Sequence, residues 1–300
     1  MRRAGWAFGI VLVVIFLGWA IVDGGRTVVD YPWSLSRGWF ALGVGLLGGS
    51  FLVAGLGYHG IVTRLQPPGP STRATLSVWG RSLLGRYVPG NVLMVLGRLE
   101  LGRRVGITRP VSLSASVYEQ VLGLTMAAAW GMVYLATGFG ANHGRAVWLV
   151  VVIPALALLL HPRAFRPAST WALRRVKRPP LERFLSGRQV AGFAVWYALS
   201  SSMTAFGTWA IVHSAAAGSG TPIEVAGAFQ LAVALSTLAI IIPSGLGVRE
   251  GVFALALSRH VDRSVAVALS VGARLVITLI ELAFVAVVSL LARRKGASIN

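Results

Sequence analysis

The sequence predicts an all-α polytopic membrane protein: about six spanning helices plus two Pro/Gly-broken re-entrant hairpins, arranged as an inverted repeat. Three observations carry this prediction. Hydrophobic residues make up 55% of the 300 and charged residues only 12%, against roughly 25% charged in a soluble domain. With a mean hydropathy of +0.72, lipid must be the solvent. Apolar runs of spanning length recur at about 4–22, 39–58, 111–136, 146–161, 190–213 and 265–291, and roughly 20 apolar residues suffice to cross a bilayer. Two further apolar regions, about 76–102 and 225–258, are interrupted by proline and glycine. At bilayer depth, backbone leaves the helical state only where protein or a water-filled cavity surrounds it. Paired breaks in two halves of a chain point to a transporter-type site near the midplane.

The first run follows Met1-Arg2-Arg3 and extends from Ala4 to Val22. A signal peptide shares that pattern, but apolar segments follow rather than a soluble domain, so it reads as an uncleaved first helix. Net charge is +19. Charge orients the remaining segments, because cytoplasmic loops concentrate arginine and lysine. Of the 28 basic residues, 21 fall before the first run, between the second and third, within 162–189, or after the last run. Five fall on the other side, and Arg249 and Arg274 sit inside apolar segments. Both termini are therefore expected in the cytoplasm, and the two hairpins enter from opposite faces. The whole chain, 1–300, reads as one integral membrane domain: a first half at about 1–161, a cytoplasmic basic linker at 162–189, and a second half at about 190–300. In the linker, Trp171, Leu173, Leu181 and Phe184 stand among arginines, a composition suited to lying on an anionic leaflet.

The breaks read Leu83-Leu84-Gly85-Arg86-Tyr87-Val88-Pro89-Gly90-Asn91 and Ile241-Ile242-Pro243-Ser244-Gly245-Leu246-Gly247-Val248-Arg249-Glu250-Gly251. After each break a half-helix begins, near Asn91 and near Leu246. A helix N-terminus presents free amides and the positive end of the dipole, so it favours an anion. Gly90, Gly245 and Gly247 permit a ligand to approach the backbone; the competing reading is that they serve only turns and close packing. An ionisable residue inside a span costs about 2.5–3.5 kcal/mol at the helix centre and is a functional candidate by default. Ser112, Ser116, Glu119 and Gly123 share one helical face, as do Ser270, Arg274, Thr278 and Glu281. Ser200, Thr204 and Thr208 form a milder stripe. Three such faces are expected to enclose a polar cavity.

Arginine suits phosphate because its planar fork donates two hydrogen bonds at once. Arg86, Arg249 and Arg274 are the candidate ligands for an anionic headgroup, with Pro89, Gly90, Asn91, Gly245 and Gly247 forming the broken backbone around it. Glu119, Glu250 and Glu281 orient those arginines or carry coupling protons. The competing reading is a set of internal salt bridges, Arg274 with Glu281 foremost. Arg81 and Arg98 are expected to snorkel to the cytoplasmic surface.

Other chemistries find little support. There are no cysteines, and the five histidines show no metal-ligand spacing. No metal, cofactor or nucleic acid is expected, and no nucleophile supports an enzyme built on Glu119 or Glu281. Gly245-Leu246-Gly247 lacks the βαβ context of a dinucleotide site. Gly45 and Gly49 form a GxxxG pattern suited to helix packing.

The stretch Gly85-Arg86-Tyr87-Val88-Pro89-Gly90-Asn91, then Val95-Leu96-Gly97-Arg98 and Tyr118-Glu119-Gln120-Val121-Leu122, resembles the transmembrane, flippase-like region of lysylphosphatidylglycerol synthases. So does Pro243-Ser244-Gly245-Leu246-Gly247-Val248-Arg249-Glu250-Gly251 with Arg274 downstream. The resemblance covers roughly 5–291. It implies a region that moves a lipid between leaflets of a prokaryotic cell membrane. In the full-length synthases a soluble aminoacyl-transferase domain follows. This chain ends at Asn300, right after its last helix, so lipid aminoacylation is not expected of it alone. The expected function is translocation of an anionic phospholipid or lipid-linked substrate across the cytoplasmic membrane. The alternative is a non-catalytic partner that anchors or regulates a membrane-bound lipid or glycan synthase, with 162–189 as its docking surface.

Overall fold

A computed structural model describes residues 27–87, 92–138, 163, 165–167, 170–171, 183–238 and 247–296. The described residues contain no strand, and the chain is an all-α membrane protein. Helix α1 spans Arg37–Leu65, and α2 spans Thr72–Leu83 and runs into a 3-10 turn at Leu84–Tyr87. Helix α3 spans Val92–Arg104 and α4 spans Arg109–Gly138. The second half comprises α5 at Gly187–Ala215, α6 at Pro222–Leu238, α7 at Val248–Leu257 and α8 at Arg263–Gly296. The expected spans at 4–22 and 146–161 lie outside the described residues. So do Pro89, Gly90, Asn91 and Gly245, together with most of the basic linker.

Arg37–Leu65, Arg109–Thr137 and Arg263–Ala292 are long and apolar enough to cross a membrane. They match the runs predicted at 39–58, 111–136 and 265–291. Helix α5 matches their length with 29 residues, although its serines and threonines dilute its hydropathy. It begins three residues earlier than the apolar run, because Ser186 and Gln189 close a capping box: the Gln189 amide donates to Ser186 Oγ at 3.3 Å and the Ser186 amide to Gln189 Oε1 at 2.9 Å. The broken regions resolve into paired short helices. At 12, 13, 17 and 10 residues, none of α2, α3, α6 and α7 reaches the roughly 30 Å of a hydrocarbon core at about 1.5 Å per residue.

Among these eight described helices the order is thus long, short, short, long, twice over. Neighbours repeat as well. Helix α2 packs on α3 and α6 on α7; α3 packs on α4 and α7 on α8. Between halves, α6 packs on α4 and α2 on α8, while α1 lies along α5 in the most extensive contact of the bundle.

The α1–α5 contact rests on missing side chains. A Cβ at Gly43 would sit 2.8 Å from the Ile211 side chain and 2.9 Å from the Gly207 carbonyl oxygen; one at Gly207 would meet Leu47 at 2.9 Å and the Gly43 carbonyl at 3.2 Å. Small residues permit such approach between apolar helices, where lipid supplies no hydrophobic drive to associate. The predicted Gly45–Gly49 face is therefore corrected: Gly45 meets nothing within 4 Å, and Gly49 faces only Met203. Polar side chains add to the seam. Ser200 Oγ donates to the Ser50 carbonyl at 3.0 Å, and the Trp196 indole to the Val53 carbonyl at 2.6 Å. The linker contributes to the core rather than only to the surface: Phe165 and Leu185 are buried, and the Phe165 ring lies 4.2 Å from that of Tyr118.

Gly43→Ala is expected to lower the melting temperature in detergent, because overpacking against backbone costs about 1–3 kcal/mol. Gly45→Ala, with open space around it, is expected to leave melting unchanged or raise it slightly. Equal effects of the two substitutions would refute this assignment of the α1–α5 contact.

Candidate functional site

Guanidinium groups buried among apolar helices need partners, and the structure meets that need in two different ways. On α3, Arg98 is 0% exposed. Its Nη1 and Nη2 donate to the two carboxylate oxygens of Glu119 on α4, at 2.7 and 2.9 Å. Its Nε donates to Ser82 Oγ at 3.0 Å, and Nη1 also to Ser116 Oγ at 3.3 Å. The Tyr58 ring lies 4.9 Å from the guanidinium carbon. The Trp79 indole N–H donates to Glu119 Oε1 at 3.0 Å. Arg98 thus does not snorkel to the surface. Helices α2 and α4 cover its face of α3, and a bidentate carboxylate within reach satisfies it there. Arg81 is half-buried and donates from Nε to Ser289 Oγ of α8 at 3.2 Å.

The second cluster is less complete. Helix α7 starts at Gly247, whose φ of +84° is a conformation that side-chain-bearing residues rarely adopt. The Gly247 amide donates to Glu250 Oε2 at 2.9 Å. Glu250 thereby supplies the anion that this helix N-terminus favours. Its other oxygen pairs with Arg249 Nε at 3.5 Å and with Arg274 Nε on α8 at 3.6 Å. Ser270 Oγ holds the Glu250 carbonyl at 2.9 Å. Arg249 also lies over the Phe229 ring at 5.6 Å, and Arg274 over the Tyr87 ring at 5.8 Å. Both arginines keep Nη2 buried with no hydrogen-bond partner among the described residues. Nearby, Glu281 is 2% exposed. Its Oε2 pairs with Arg86 Nη1 at 3.4 Å and accepts from the Tyr87 hydroxyl at 3.3 Å, while Oε1 is buried with no hydrogen-bond partner among the described residues. The expected Arg274–Glu281 pair is thus replaced by two pairs: Arg274 with Glu250, and Arg86 with Glu281. The latter ties the 3-10 turn of the first half to α8 of the second.

A cavity of about 250 Å³ opens between the halves. Arg86, Glu119 and Arg249 line it, with Ser200, Thr204 and Gln230 among its polar wall and Leu47, Phe51 and Phe229 among its apolar wall. Of the three polar faces expected to enclose a cavity, those of α4 and α5 do so through Glu119, Gly123, Ser200 and Thr204. Thr208 instead donates to the Thr204 carbonyl of its own helix. From α8 only Ile277 reaches the wall; Arg274 and Glu281 act through Glu250 and Arg86. Glu119 orients Arg98 rather than the three arginines it was expected to serve.

Three residues of this arrangement carried no readable signal. Tyr58 and Trp79 look like ordinary membrane aromatics, and Tyr87 is one letter in a break motif. Their roles arise from the packing of α1, α2 and the 3-10 turn against α4 and α8. No group of three His, Asp or Glu side chains suited to a metal occurs among the described residues.

Removing one member of a buried ion pair costs about 3–5 kcal/mol, because the other charge is left uncompensated. Arg98→Leu is expected to destabilise the protein by that order in detergent melts. Arg98→Leu combined with Glu119→Leu is expected to recover a large part of the loss. Additive losses in the double variant would show that the pair is not coupled as described.

No curated protein matches the chain significantly. Residues 6–285 match the family described as the lysylphosphatidylglycerol synthase TM region. That match spans both break motifs, Arg98, Glu119 and the Arg249–Glu250–Arg274 cluster, and the chain belongs to this family.

Proposed function

We propose that the protein translocates an anionic phospholipid or lipid-linked substrate across the cytoplasmic membrane, as a flippase-like carrier and not as an enzyme. One observation carries the reading: two buried arginines beside the central cavity each hold a guanidinium nitrogen without a hydrogen-bond partner among the described residues. An unsatisfied buried donor costs about 1–3 kcal/mol, and more when charged. A phosphate oxygen recovers that cost. Three arginines, Arg86, Arg249 and Arg274, meet two carboxyl groups, Glu250 and Glu281, in this cluster, so an entering anion finds surplus positive charge.

The repeated long–short–short–long order supports an inverted repeat, with α2–α3 and α6–α7 re-entering from opposite faces. In that arrangement both termini lie in the cytoplasm. The headgroup moves through the cavity while its acyl chains stay in the bilayer. Glu250 and Glu281 release and recapture the arginines as the anion arrives and leaves. Family membership is in keeping with a flippase-like role.

The test is transbilayer movement of fluorescent phosphatidylglycerol in proteoliposomes. Wild-type protein is expected to accelerate it. Arg249→Ala is expected to reduce the rate about tenfold or more, since charge-assisted hydrogen bonds contribute about 1.5–3 kcal/mol, with folding intact by circular dichroism. No acceleration of any anionic lipid by wild-type protein, with or without an ion gradient, would defeat the proposal and favour a role as a synthase-anchoring partner.

A further inference from the structure

A second cavity lies apart from the central one and shares no lining residue with it. It has a volume of about 610 Å³ and is formed by the start of α2, the end of α3 and the end of α8, within the common range of ligand pockets, roughly 300–1,000 Å³. Arg73, Arg81 and Arg104 line it, and no acidic side chain among the described residues does. The nearest carboxylate on α3, Glu100, pairs with Arg103 at 3.2 Å and reaches Arg104 only at 3.8 Å. Arg81 is held toward α8 by Ser289 through Nε at 3.2 Å. The cavity lining also includes the apolar Leu101, Val105 and Leu291. Leu291 and its neighbour Leu290 are 45% and 59% exposed on α8, a membrane-crossing helix. The cleft therefore combines three arginines from two helices with apolar lining that adjoins exposed leucines of a membrane-crossing helix.

We infer that this cleft binds the phosphate of an anionic phospholipid, with the lipid's glycerol and upper acyl carbons against Leu101, Val105 and Leu291. Guanidinium forks match phosphate oxygens, while the apolar lining distinguishes a lipid from a soluble phosphate. All three arginines belong to the region 64–109, which the charge distribution assigns to the cytoplasmic side. The site is a resident one, distinct from the translocation path. Its occupant braces α2, the helix whose Trp79 holds Glu119.

The experiment is native mass spectrometry of the full chain released from nanodiscs of equal parts phosphatidylglycerol and phosphatidylcholine. It compares wild type, Arg73→Gln/Arg104→Gln and Arg249→Gln. Arg73 and Arg104 are exposed, so the double variant is expected to fold, with melting as the control. Arg249→Gln is expected to lose at most a lipid held in the central cavity and to keep, like wild type, one phosphatidylglycerol that the double variant loses about tenfold more readily, a change of about 1.4 kcal/mol. Excess soluble glycerophosphoglycerol is expected not to displace it. Equal retention by wild type and the double variant overturns the inference, as does displacement by the soluble headgroup or equal retention of phosphatidylcholine. Loss in Arg249→Gln alone would place the bound lipid in the central cavity and overturn the cleft assignment while sparing the translocation proposal.

Discussion

A guanidinium placed among apolar helices must find a negative partner or forfeit its solvation, and that demand organises the interior of this protein. Isolated charges are costly to insert. The chain answers with carboxyl groups on neighbouring helices, one pairing per half. Arg98 receives both oxygens of Glu119 at hydrogen-bonding distance, plus two hydroxyls. Arg249 and Arg274 share one oxygen of Glu250 at 3.5 and 3.6 Å and retain donors that no described residue fills. The first arrangement is closed and structural. The second is open and faces the anion chemistry that an arginine pair serves.

The scaffold explains how both arrangements arise from one pattern. Short helix pairs bring charged side chains from their first turns or inner faces against a long helix: α3 against α4, and α7 against α8. The pairs reverse sign between halves. Arginine sits on the short helix and glutamate on the long one in the first half, and the order is exchanged in the second. The reversal matters at α7, because a glutamate at its third position can also cap the Gly247 amide. One carboxylate then divides its attention among a backbone donor and two guanidiniums. The close α1–α5 seam holds the halves together, so that Arg86 of one half reaches Glu281 of the other.

Much of this was legible in the letters. Apolar length located α1, α4 and α8, because spanning is a matter of composition and rise per residue. Proline and glycine located both pairs of short helices. The 3.6 periodicity put Ser112, Ser116 and Glu119 on one face, and Ser270, Arg274 and Glu281 on another. Pairing was not legible. Arg98 sits six residues from the end of a basic helix, where snorkelling is the default, and only the burial of α3 between α2 and α4 reverses that expectation. The spacing of Arg274 and Glu281 suggested a partnership within one helix, whereas the nearer carboxylate comes from α7. The glycine pattern at 45 and 49 misled for a similar reason. Which face of a helix is close-packed depends on its neighbour, and Gly43 meets Gly207 across 164 positions of sequence.

The central claim is that the Nη2 groups of Arg249 and Arg274 donate to a phosphate. Solid-state NMR of guanidinium-15N-labelled protein in phosphatidylglycerol liposomes tests it through dipolar coupling between arginine nitrogen and lipid phosphorus. The account predicts close nitrogen–phosphorus contacts at Arg249 and Arg274 that disappear for Arg249→Gln while those of the cleft arginines persist, and none for Arg98, whose nitrogens are already engaged. An Arg274 contact unchanged by Arg249→Gln, or a phosphorus contact at Arg98, would contradict it.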